Sequence, residues 1–364
     1  MTSKPYASAR GVGLLELLVS MAITLVVTAA IVQLLNPSQA RTQVQQEAED
    51  MQQRMRVATD ALFTALAVAG AGPYVGGTTG SLGQFLPAIL PRVLGANAPD
   101  APGAAFADRI TIIHIPETAS QTTTSAGLTD PGAPLLVVQG PGCPIALPVC
   151  GFAADDEALV FDRLGGFDLF TVSGVAGNAA QLELRGEAMS TSYPAGSVAA
   201  KVESRSYYLD PSVNELKAYD QGAGGAVPVV DDVAGLAFEY FGDPSPPTRP
   251  KPPPGASNCL YDAKGAYLGG TMATLAGDGS LAPLPLSMFT DGPWCGGGTN
   301  LFDADLLRIR EVRVTIRIQT PLARLRGRDP RLFAIPGTSR EGQRFLPDLV
   351  SRFAVTPRNL NLDR

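Results

Sequence analysis

The sequence predicts an α+β protein, in which a long N-terminal helix spans a membrane and then packs on antiparallel β-sheet in a large, loop-rich C-terminal domain. Three observations predict this class. Residues 12–35 form one apolar run, residues 44–66 carry an apolar stripe at helical spacing, and short strand-like runs separated by Gly, Pro, Asn or Asp fill much of the remainder. Short strands without intervening helical patterns favour antiparallel pairing over parallel crossover units.

Residues 12–35 are predicted to be a membrane-spanning helix. The run contains 24 residues and one charge, Glu16. At about 1.5 Å rise per residue, such a helix crosses a hydrocarbon layer of roughly 30 Å. A carboxylate inside the span costs roughly 2.5 kcal/mol or more unless it is paired. We therefore interpret Glu16 as functional; the alternative is a plain anchor that tolerates one acid near its end.

Residues 36–70 are predicted to continue this helix in amphipathic form. The Asn-Pro-Ser sequence at residues 36–38 should introduce a kink or brief break, because proline removes a helical donor and serine can cap a new helical segment. Beyond it an apolar stripe recurs every three or four residues, made of Val44, Ala48, Met51, Met55, Ala58, Leu62 and Leu66. The stripe should pack against the domain, and the Gly-Ala-Gly-Pro turn at residues 70–73 should end the helix.

Residues 71–364 are predicted to form one β-rich globular domain. Residues 72–106 have turn chemistry and little periodicity, so we expect an irregular connection there. The strand-like runs are residues 109–115, 135–139, 158–162, 167–172, 180–184, 197–209, 227–241, 310–319 and 351–356. In residues 227–241 a turn should lead into a strand. In residues 310–319 apolar and polar side chains alternate strictly, as in a strand with one buried face. The proline-rich insertion 242–256 should be extended and solvated.

The N-terminal charges predict on which side of the membrane this domain lies. Lys4 and Arg10 precede the apolar run, so the positive-inside tendency keeps residues 1–11 cytoplasmic and sends the rest of the chain across. An ordinary secretory signal is excluded, because the apolar run is too long and no small-residue cleavage pattern comes after it. We therefore expect a single-pass protein with an extracytoplasmic domain.

The four cysteines are predicted to form disulfides. Cys143 and Cys150 bracket a short loop, and Cys259 and Cys295 bracket a longer Gly/Pro-rich segment. Four cysteines allow three pairings, of which pairing between sequence neighbours is the most economical. A zinc site is the alternative, but neither spacing is C-x2-C, and the only histidine, His114, lies in an apolar run.

The N-terminus resembles the type III signal of type IV pilins and pseudopilins. A short basic leader ends in Gly11, an apolar helix begins at Val12, and Glu16 is the fifth residue after that glycine. The resemblance implies cleavage between Gly11 and Val12 by prepilin peptidase, with N-methylation of Val12, and makes residues 1–11 the leader peptide. The family usually has phenylalanine in the place of Val12. In a filament of packed helices, Glu16 of one subunit would neutralise the freed Val12 ammonium of a neighbour.

Three later segments resemble the PilW group of minor pilin assembly proteins: SRSYYLD at 204–210, VVDDVAGLAFEYF at 229–241 and TPRNLNL at 356–362. The resemblance implies a pilin-like fold and a role in initiating or capping a type IV pilus. It also implies as partners prepilin peptidase, the major pilin, other minor pilins and the inner-membrane assembly platform. The protein would reside in the bacterial inner membrane, with its domain in the periplasm, and enter the pilus. A minor pseudopilin of type II secretion, similar to pseudopilin J, is the alternative.

No catalytic, cofactor or metal motif is recognisable in the sequence. It lacks G-x-S-x-G, H-E-x-x-H, P-loop and dinucleotide-binding patterns, and with one histidine it lacks the commonest general base. We therefore expect no enzyme, no cofactor and no metal. The paired acids at 155–157 and 231–232 are interpreted as solvated turns or caps, with acid/base chemistry as the alternative. Asn300, Asp303 and Asp305 could offer oxygens to calcium but lack the spacing of a known calcium loop.

Charge is distributed unevenly along the chain. The net charge is −6, and residues 308–364 contain 13 arginines, no lysine and five acids, which gives this segment a net charge of +8. Three interpretations remain open: arginines that face solvent or pair with the chain's own acids, a contact surface for another subunit, or a strip that binds nucleic acid. A binding function is a further alternative: the protein could be a DNA-uptake receptor or a tip adhesin that uses the loops or the arginine strip. The interleaved aromatics typical of single-strand binding are missing.

Overall fold

The computed structural model describes residues 13–75, 78–95, 99–117, 120–130, 133–137, 148–177, 180–185, 189–220, 225–276, 280–340 and 344–362. Two parts make up this structure. A long N-terminal apolar helix leads into a large β-rich domain whose sheets are antiparallel, in agreement with the predicted α+β class at this level.

Helix α1 (Leu14–Ala67) is a single element of 54 residues. At about 1.5 Å rise per residue it is roughly 80 Å long. Of the kink or brief break predicted at residues 36–38, the break is wrong, because the helix continues through Pro37, where only one backbone donor is missing. The helix ends three residues before the predicted limit at Gly70. That glycine has a φ of 75°, a left-handed conformation that turns the chain away from the helix axis.

The strands of the domain are short and numerous. They are β1 (Ala71–Val75), β2 (Thr78–Ser81), β3 (Ile89–Leu90), β4 (Arg109–His114), β5 (Gln121–Thr123), β6 (Leu135–Leu136), β7 (Glu157–Phe161), β8 (Phe167–Ala176), β9 (Gln181–Arg185), β10 (Val198–Lys201), β11 (Glu203–Asp210), β12 (Glu215–Asp220), β13 (Gly225–Val230), β14 (Val233–Gly242), β15 (Ala282–Leu284), β16 (Trp294–Cys295), β17 (Phe302–Asp303), β18 (Ile309–Ile318) and β19 (Leu349–Val355). Short 3-10 helices occur between them, among them Leu82–Gln84, Gly269–Thr271, Leu286–Phe289, Gly298–Asn300, Ala304–Arg308, Ala323–Leu325 and Arg358–Asn361.

Within the described residues these strands form three larger sheets and two small ribbons. The six-stranded sheet has the order β5-β10-β7-β8-β9-β6, the five-stranded sheet β13-β12-β11-β4-β3, and the four-stranded sheet β15-β14-β18-β19. β1 pairs with β2, and β16 with β17. The described strand pairs are antiparallel, as the short, turn-bounded runs predict.

Two parts of the strand prediction are wrong. The run 197–209 is not one strand, because the chain leaves the six-stranded sheet after β10 and enters the five-stranded sheet at β11, with Val202 between them. Residues 72–106 are not wholly irregular, since they contain most of β1 as well as β2 and β3. In addition, strands β5, β12, β15, β16 and β17 lie outside every predicted run.

The main core lies between α1 and the sheets. Met51, Met55, Ala58, Leu62 and Leu66 are buried, and the helix contacts β13, β18 and β19. On β18 the predicted alternation is confirmed, with buried residues Val312, Val314, Ile316 and Ile318. A fully buried side chain of this size contributes about 1.5–3 kcal/mol, so the stripe is a large source of helix-to-domain stability.

The six-stranded sheet is covered on both faces. Strand β7 is buried throughout, because Leu159 and Phe161 belong to the main core, whereas Ala158 and Val160 belong to a second cluster with Phe170 and Val172. This explains why β7 is a continuous apolar run after its first residue. An alternating pattern would indicate a sheet with one wet face.

One predicted disulfide is confirmed. Cys259 and Cys295 are bonded, with their Cα atoms 5.1 Å apart. Cys150 is also disulfide-bonded. Its predicted partner, Cys143, lies outside the described residues.

The proline-rich segment 242–256 has no regular secondary structure beyond the end of β14, but it is fastened to the domain. The Tyr261 hydroxyl donates to the Thr248 carbonyl at 3.0 Å, and the Tyr267 hydroxyl to the Pro247 carbonyl at 2.8 Å. The buried Arg308 guanidinium donates to the carbonyl of Pro244. The expectation of a freely solvated insertion is therefore wrong for its first half.

Candidate functional site: the two halves of the N-terminal helix

The start of α1 places Glu16, the acid of the predicted processing motif, close to the helix N-terminus. Gly11 and Val12, the predicted cleavage and methylation residues, lie outside the described residues. Gly13 caps the helix in an extended conformation, and its carbonyl accepts the backbone N–H groups of Glu16 and Leu17 at 2.9 and 3.1 Å. Glu16 lies in the first turn and is exposed. The positive end of the helix dipole favours a carboxylate at this position.

The first half of the helix presents apolar side chains all round. Residues Leu14–Ile31 have a mean hydropathy of 2.3, and none of them is buried. Leu14 is 80% exposed and Leu25 is 71% exposed. Soluble monomers rarely expose an apolar surface this large, and such a surface is typical of a segment that meets lipid or other apolar helices. By length and composition it is able to cross a membrane.

One face of this half carries small polar residues. Ser20, Thr24 and Thr28 come after Glu16 at intervals of four, and we call these four residues the polar stripe. The three hydroxyls donate to the carbonyls of Leu17, Ser20 and Thr24 at 2.9, 2.7 and 2.7 Å. Hydroxyls satisfied by their own helix cost little in apolar surroundings, and small side chains let two helices approach closely.

The second half of the helix is docked on the domain by polar contacts as well as by its apolar stripe. Arg54 Nε lies 2.9 Å from Asp231 Oδ1, and its Nη2 lies 3.5 Å from Asp232 Oδ2. The Thr320 hydroxyl donates to Glu47 at 2.8 Å. The acids of the β13–β14 turn are therefore not merely solvated, because they hold the helix. Burial raises the pKa of Asp232, and Arg54 opposes that shift.

Several arginines of the basic C-terminal segment pair with acids of this same chain. Arg308 is wholly buried and lies 2.7 Å from Asp305. Four further pairs are Arg310 with Asp243, Arg313 with Glu311, Arg317 with Asp348 and Arg331 with Asp329. For these five arginines the structure agrees with the interpretation of self-pairing. Asp305 and Asp243 lie outside the segment, so their two pairs make it less positive than its net charge indicates, whereas Glu311, Asp329 and Asp348 are already counted in that charge.

The acids weighed for calcium serve the chain's own donors. Oxygens of Asp303 and Asp305 lie within 4.8 Å of one another and of Asp291, whereas Asn300 donates instead to the Phe167 carbonyl and to Asp168. Asp303 accepts the backbone N–H groups of Gly292 and Asp305, and burial raises its pKa to about 6. With Asp305 already paired to Arg308, this cluster carries no argument for an ion.

The acids at residues 155–157 separate into two kinds. Asp155 and Asp156 lie in the turn before β7, near Arg185 and Lys201 respectively. Glu157, the first residue of β7, is only 8% exposed. The interpretation of a solvated turn is therefore wrong for Glu157. The apolar run directly after this residue is the sequence signal that could have indicated its burial.

Comparison with known proteins assigns no role to these residues. The chain matches no protein-family model, no curated protein and no solved structure.

Proposed function

We propose that the chain is a minor pilin that takes part in initiating a type IV pilus and occupies the filament tip. The observation that carries the proposal is the division of α1. Its first half is apolar and wholly exposed, and its second half is docked on the domain. A subunit built in this way can be held by its helix in the inner membrane and later be packed, by the same helix, against other subunits.

The processing motif supports the proposal through the charge that cleavage creates. Cleavage between Gly11 and Val12 would free an ammonium at Val12, which N-methylation would leave charged. Inside a bundle of apolar helices that ammonium and the Glu16 carboxylate are each costly alone, whereas as an intersubunit pair they neutralise each other. The polar stripe would lie in the same helix contact.

The domain supports a structural role on the outer side of the membrane. Its disulfide between Cys259 and Cys295 is of the kind that forms in oxidising compartments such as the periplasm. Five arginines of its C-terminal segment pair with the chain's own acids, which leaves fewer of them to contact nucleic acid. In this proposal the protein acts by incorporation and contact, and catalyses no reaction.

A clean deletion of the gene in the source bacterium tests this function. Surface pili and twitching motility would be assayed in parallel with the profile of secreted proteins. Loss of pili with normal secretion is expected. Lost secretion with intact pili would instead assign the chain to the minor pseudopilins of type II secretion, and no change in either would refute both assignments.

A further inference from the structure

A cleft of about 670 Å³ lies beside the last turns of α1. One wall is the helix, at Asp60, Thr64 and Val68. The other side is a face of the five-stranded sheet, with the start of β7 beneath it. The residues that line the cleft from the strands include Ile112, His114, Glu157, Glu203, Ser204, Arg205, Tyr207 and Asp220. None of them belongs to the processing motif or the polar stripe, so the proposed function gives this cleft no role.

Strand register places the polar residues of the cleft in a row across the sheet. On β4 and β11, His114 lies opposite Glu203, and Ile112 lies opposite Arg205. On β12, Asp220 lies opposite Arg205. Alternate residues share one face of a strand, so these side chains face the same cleft. The row joins residues that are more than 100 positions apart in the sequence.

The cleft has an excess of negative charge. Arg205 is already committed to Asp220, with Nε–Oδ1 and Nη2–Oδ2 distances of 2.5 and 2.9 Å. His114 Nε2 lies 3.5 Å from Glu203 Oε2, but burial lowers the pKa of His114, which keeps the ring largely neutral at pH 7. Within the described residues no lysine or arginine pairs with Asp60, Glu157 or Glu203, and the excess negative charge lies on Asp60 and Glu203.

Two buried polar atoms near the cleft lack hydrogen-bond partners. Glu157 and Ser204 are 8% and 3% exposed. Glu157 Oε2 accepts the Ser204 backbone N–H at 3.1 Å, yet Glu157 Oε1 and the Ser204 hydroxyl have no partner among the described residues. Buried polar groups are normally satisfied. Glu157 lines the cleft, so its Oε1 is available to accept a hydrogen bond from a ligand there, whereas the Ser204 side chain lies on the opposite face of β11 by strand alternation.

We propose that this cleft binds an organic cation, an ammonium group on an aliphatic stem. The cationic head would lie at Glu157, where carboxyl oxygen Oε1 is free to accept a hydrogen bond. The stem would lie along the small apolar side chains of the helix wall at Ala61, Ala65 and Val68. The head can belong to a lysine side chain of a partner polypeptide or to a free amine, since both present an ammonium group. A metal ion fits less well, because among the described acids only those around Asp303 converge closely enough for one.

Binding of a cation should release a proton. Burial, reinforced by the nearby acids Asp220 and Glu203, raises the pKa of Glu157 to about 8, so the empty cleft holds this carboxyl mostly protonated at pH 7. A cation at Oε1 favours the ionised form. The other titratable or charged groups that face the cleft are Asp60 on α1, His114 on β4, Glu203, Arg205 and Tyr207 on β11, and Asp220 on β12.

Isothermal titration of the full chain in detergent micelles tests the proposal. The probes are n-butylammonium, for free amines, and N-acetyl-lysine methylamide, for a protein side chain. N-acetyl-norleucine methylamide is the uncharged control. Titrations at pH 7 in phosphate and in MOPS, which differ in ionisation enthalpy, report the protons released. We expect saturable binding of one ammonium probe per chain, release of up to about one proton, and no binding of the norleucine compound.

Matched variants assign the binding to Glu157. Glu157→Gln should weaken binding by about tenfold or more and abolish the proton release, because it keeps the side-chain shape and removes the charge. Asp155→Asn, a neutralisation two residues away on an exposed side chain, should bind as the wild type does. Asparagine also tolerates the φ of 68° at that position. Should Glu157→Gln fail to fold, Asp60→Asn on the exposed helix wall should weaken binding in its place.

The outcomes are distinguishable. Binding of the lysine derivative alone supports a partner's side chain as the ligand, and binding of butylammonium alone supports a free amine. Three results would overturn the proposal: equal binding of the norleucine compound, wild-type affinity in both Glu157→Gln and Asp60→Asn, or no binding of either ammonium probe at millimolar concentration. The deletion phenotype is independent of all these results.

Discussion

The two halves of α1 have the same backbone and opposite surroundings. In the segment Leu14–Ile31 every residue is exposed, whereas in the docked half Leu62 and Leu66 are fully buried and Arg54 pairs with acids of a turn. The difference depends on the pattern of apolar residues and not on their number. An apolar surface all round the helix suits lipid or a helix bundle, and a single stripe suits one protein face.

This comparison separates two kinds of stability. The docked half contributes to the folding free energy of the domain, because its side chains leave water when the domain forms. Residues 14–31, which we call the free half, contribute nothing to the folding free energy of the domain. Their apolar surface is available for association instead. Substitutions in the two halves should therefore act on different measurements.

The largest effect is expected from Glu16→Ala in the free half. If Glu16 neutralises the Val12 ammonium of a neighbouring subunit, its loss leaves a buried charge uncompensated, at a cost of about 3–5 kcal/mol per contact. The variant should be processed normally and be almost absent from sheared filaments, with the unfolding of its domain unchanged.

The matched control for this prediction is Glu49→Ala. Glu49 is an exposed acid on the docked half of the same helix, and its loss should leave recovery in filaments unchanged. Immunoblots of sheared and membrane fractions measure both variants. Normal recovery of Glu16→Ala would show that Glu16 has no role in assembly.

In the docked half the largest effect is expected from Leu62→Ala. Leu62 is 0% exposed, and truncating a buried leucine costs about 2–5 kcal/mol in transfer and cavity free energy. Leu25→Ala, at a residue 71% exposed, should leave domain unfolding unchanged. Denaturant titration of the full chain in detergent, followed by near-UV circular dichroism, measures both. Equal destabilisation by the two substitutions would contradict the division of the helix.

Much of this division could be predicted from the sequence, because helical and strand periodicities are local signals. The stripe from Met51 to Leu66 indicated both the helix and its buried face. The alternation in β18 indicated a strand with one buried and one solvent-exposed face. The predicted break at Pro37 failed because a missing donor weakens a helix without ending it. The run 197–209 failed because nothing local marks the residue at which a chain changes sheets.

The cleft could not be predicted in this way. Its polar residues come from α1, β4, β7, β11 and β12, and they meet only through the packing of the helix and the order of the strands. Glu157 resembled its neighbours Asp155 and Asp156 in sequence, and tertiary packing alone distinguishes it from them. Burial of an acid depends on the elements that cover it, which a window of sequence does not contain.

The pH dependence of stability should sharpen the comparison, because the titrating group flanks only the docked half. The pKa of Glu157 is raised from its ordinary value of 4.5 to about 8, so the folded state binds this proton more tightly than the unfolded state does. The stabilisation of the folded state by the protonated Glu157 carboxyl is therefore fully present below about pH 4.5 and is lost as the pH rises through 8. Relative to Glu157→Gln, the wild type should lose up to about 1.4 kcal/mol per pH unit within this interval.

Denaturant titrations at pH 5, 6, 7 and 8 measure this difference. The control is Glu183→Gln, at an exposed glutamate of the same sheet, which should behave as the wild type does at every pH. A constant difference between the wild type and Glu157→Gln across the interval would mean that Glu157 is ionised in the folded chain.

The smallest effect is expected where polar contacts fasten the docked half. Arg54 is partly exposed and pairs with Asp231 and Asp232, so Arg54→Ala should destabilise the domain by about 1 kcal/mol or less, in line with other exposed ion pairs. Arg56→Ala removes the same charge from an exposed position two residues further along and should have no measurable effect. Raising the salt concentration should reduce the difference between the two variants, since salt screens exposed charges. If Arg54→Ala destabilised the domain as much as Leu62→Ala, ion pairs and not the apolar stripe would be the main attachment of the helix. The two halves of α1 would then differ in their ion pairs more than in their pattern of apolar residues.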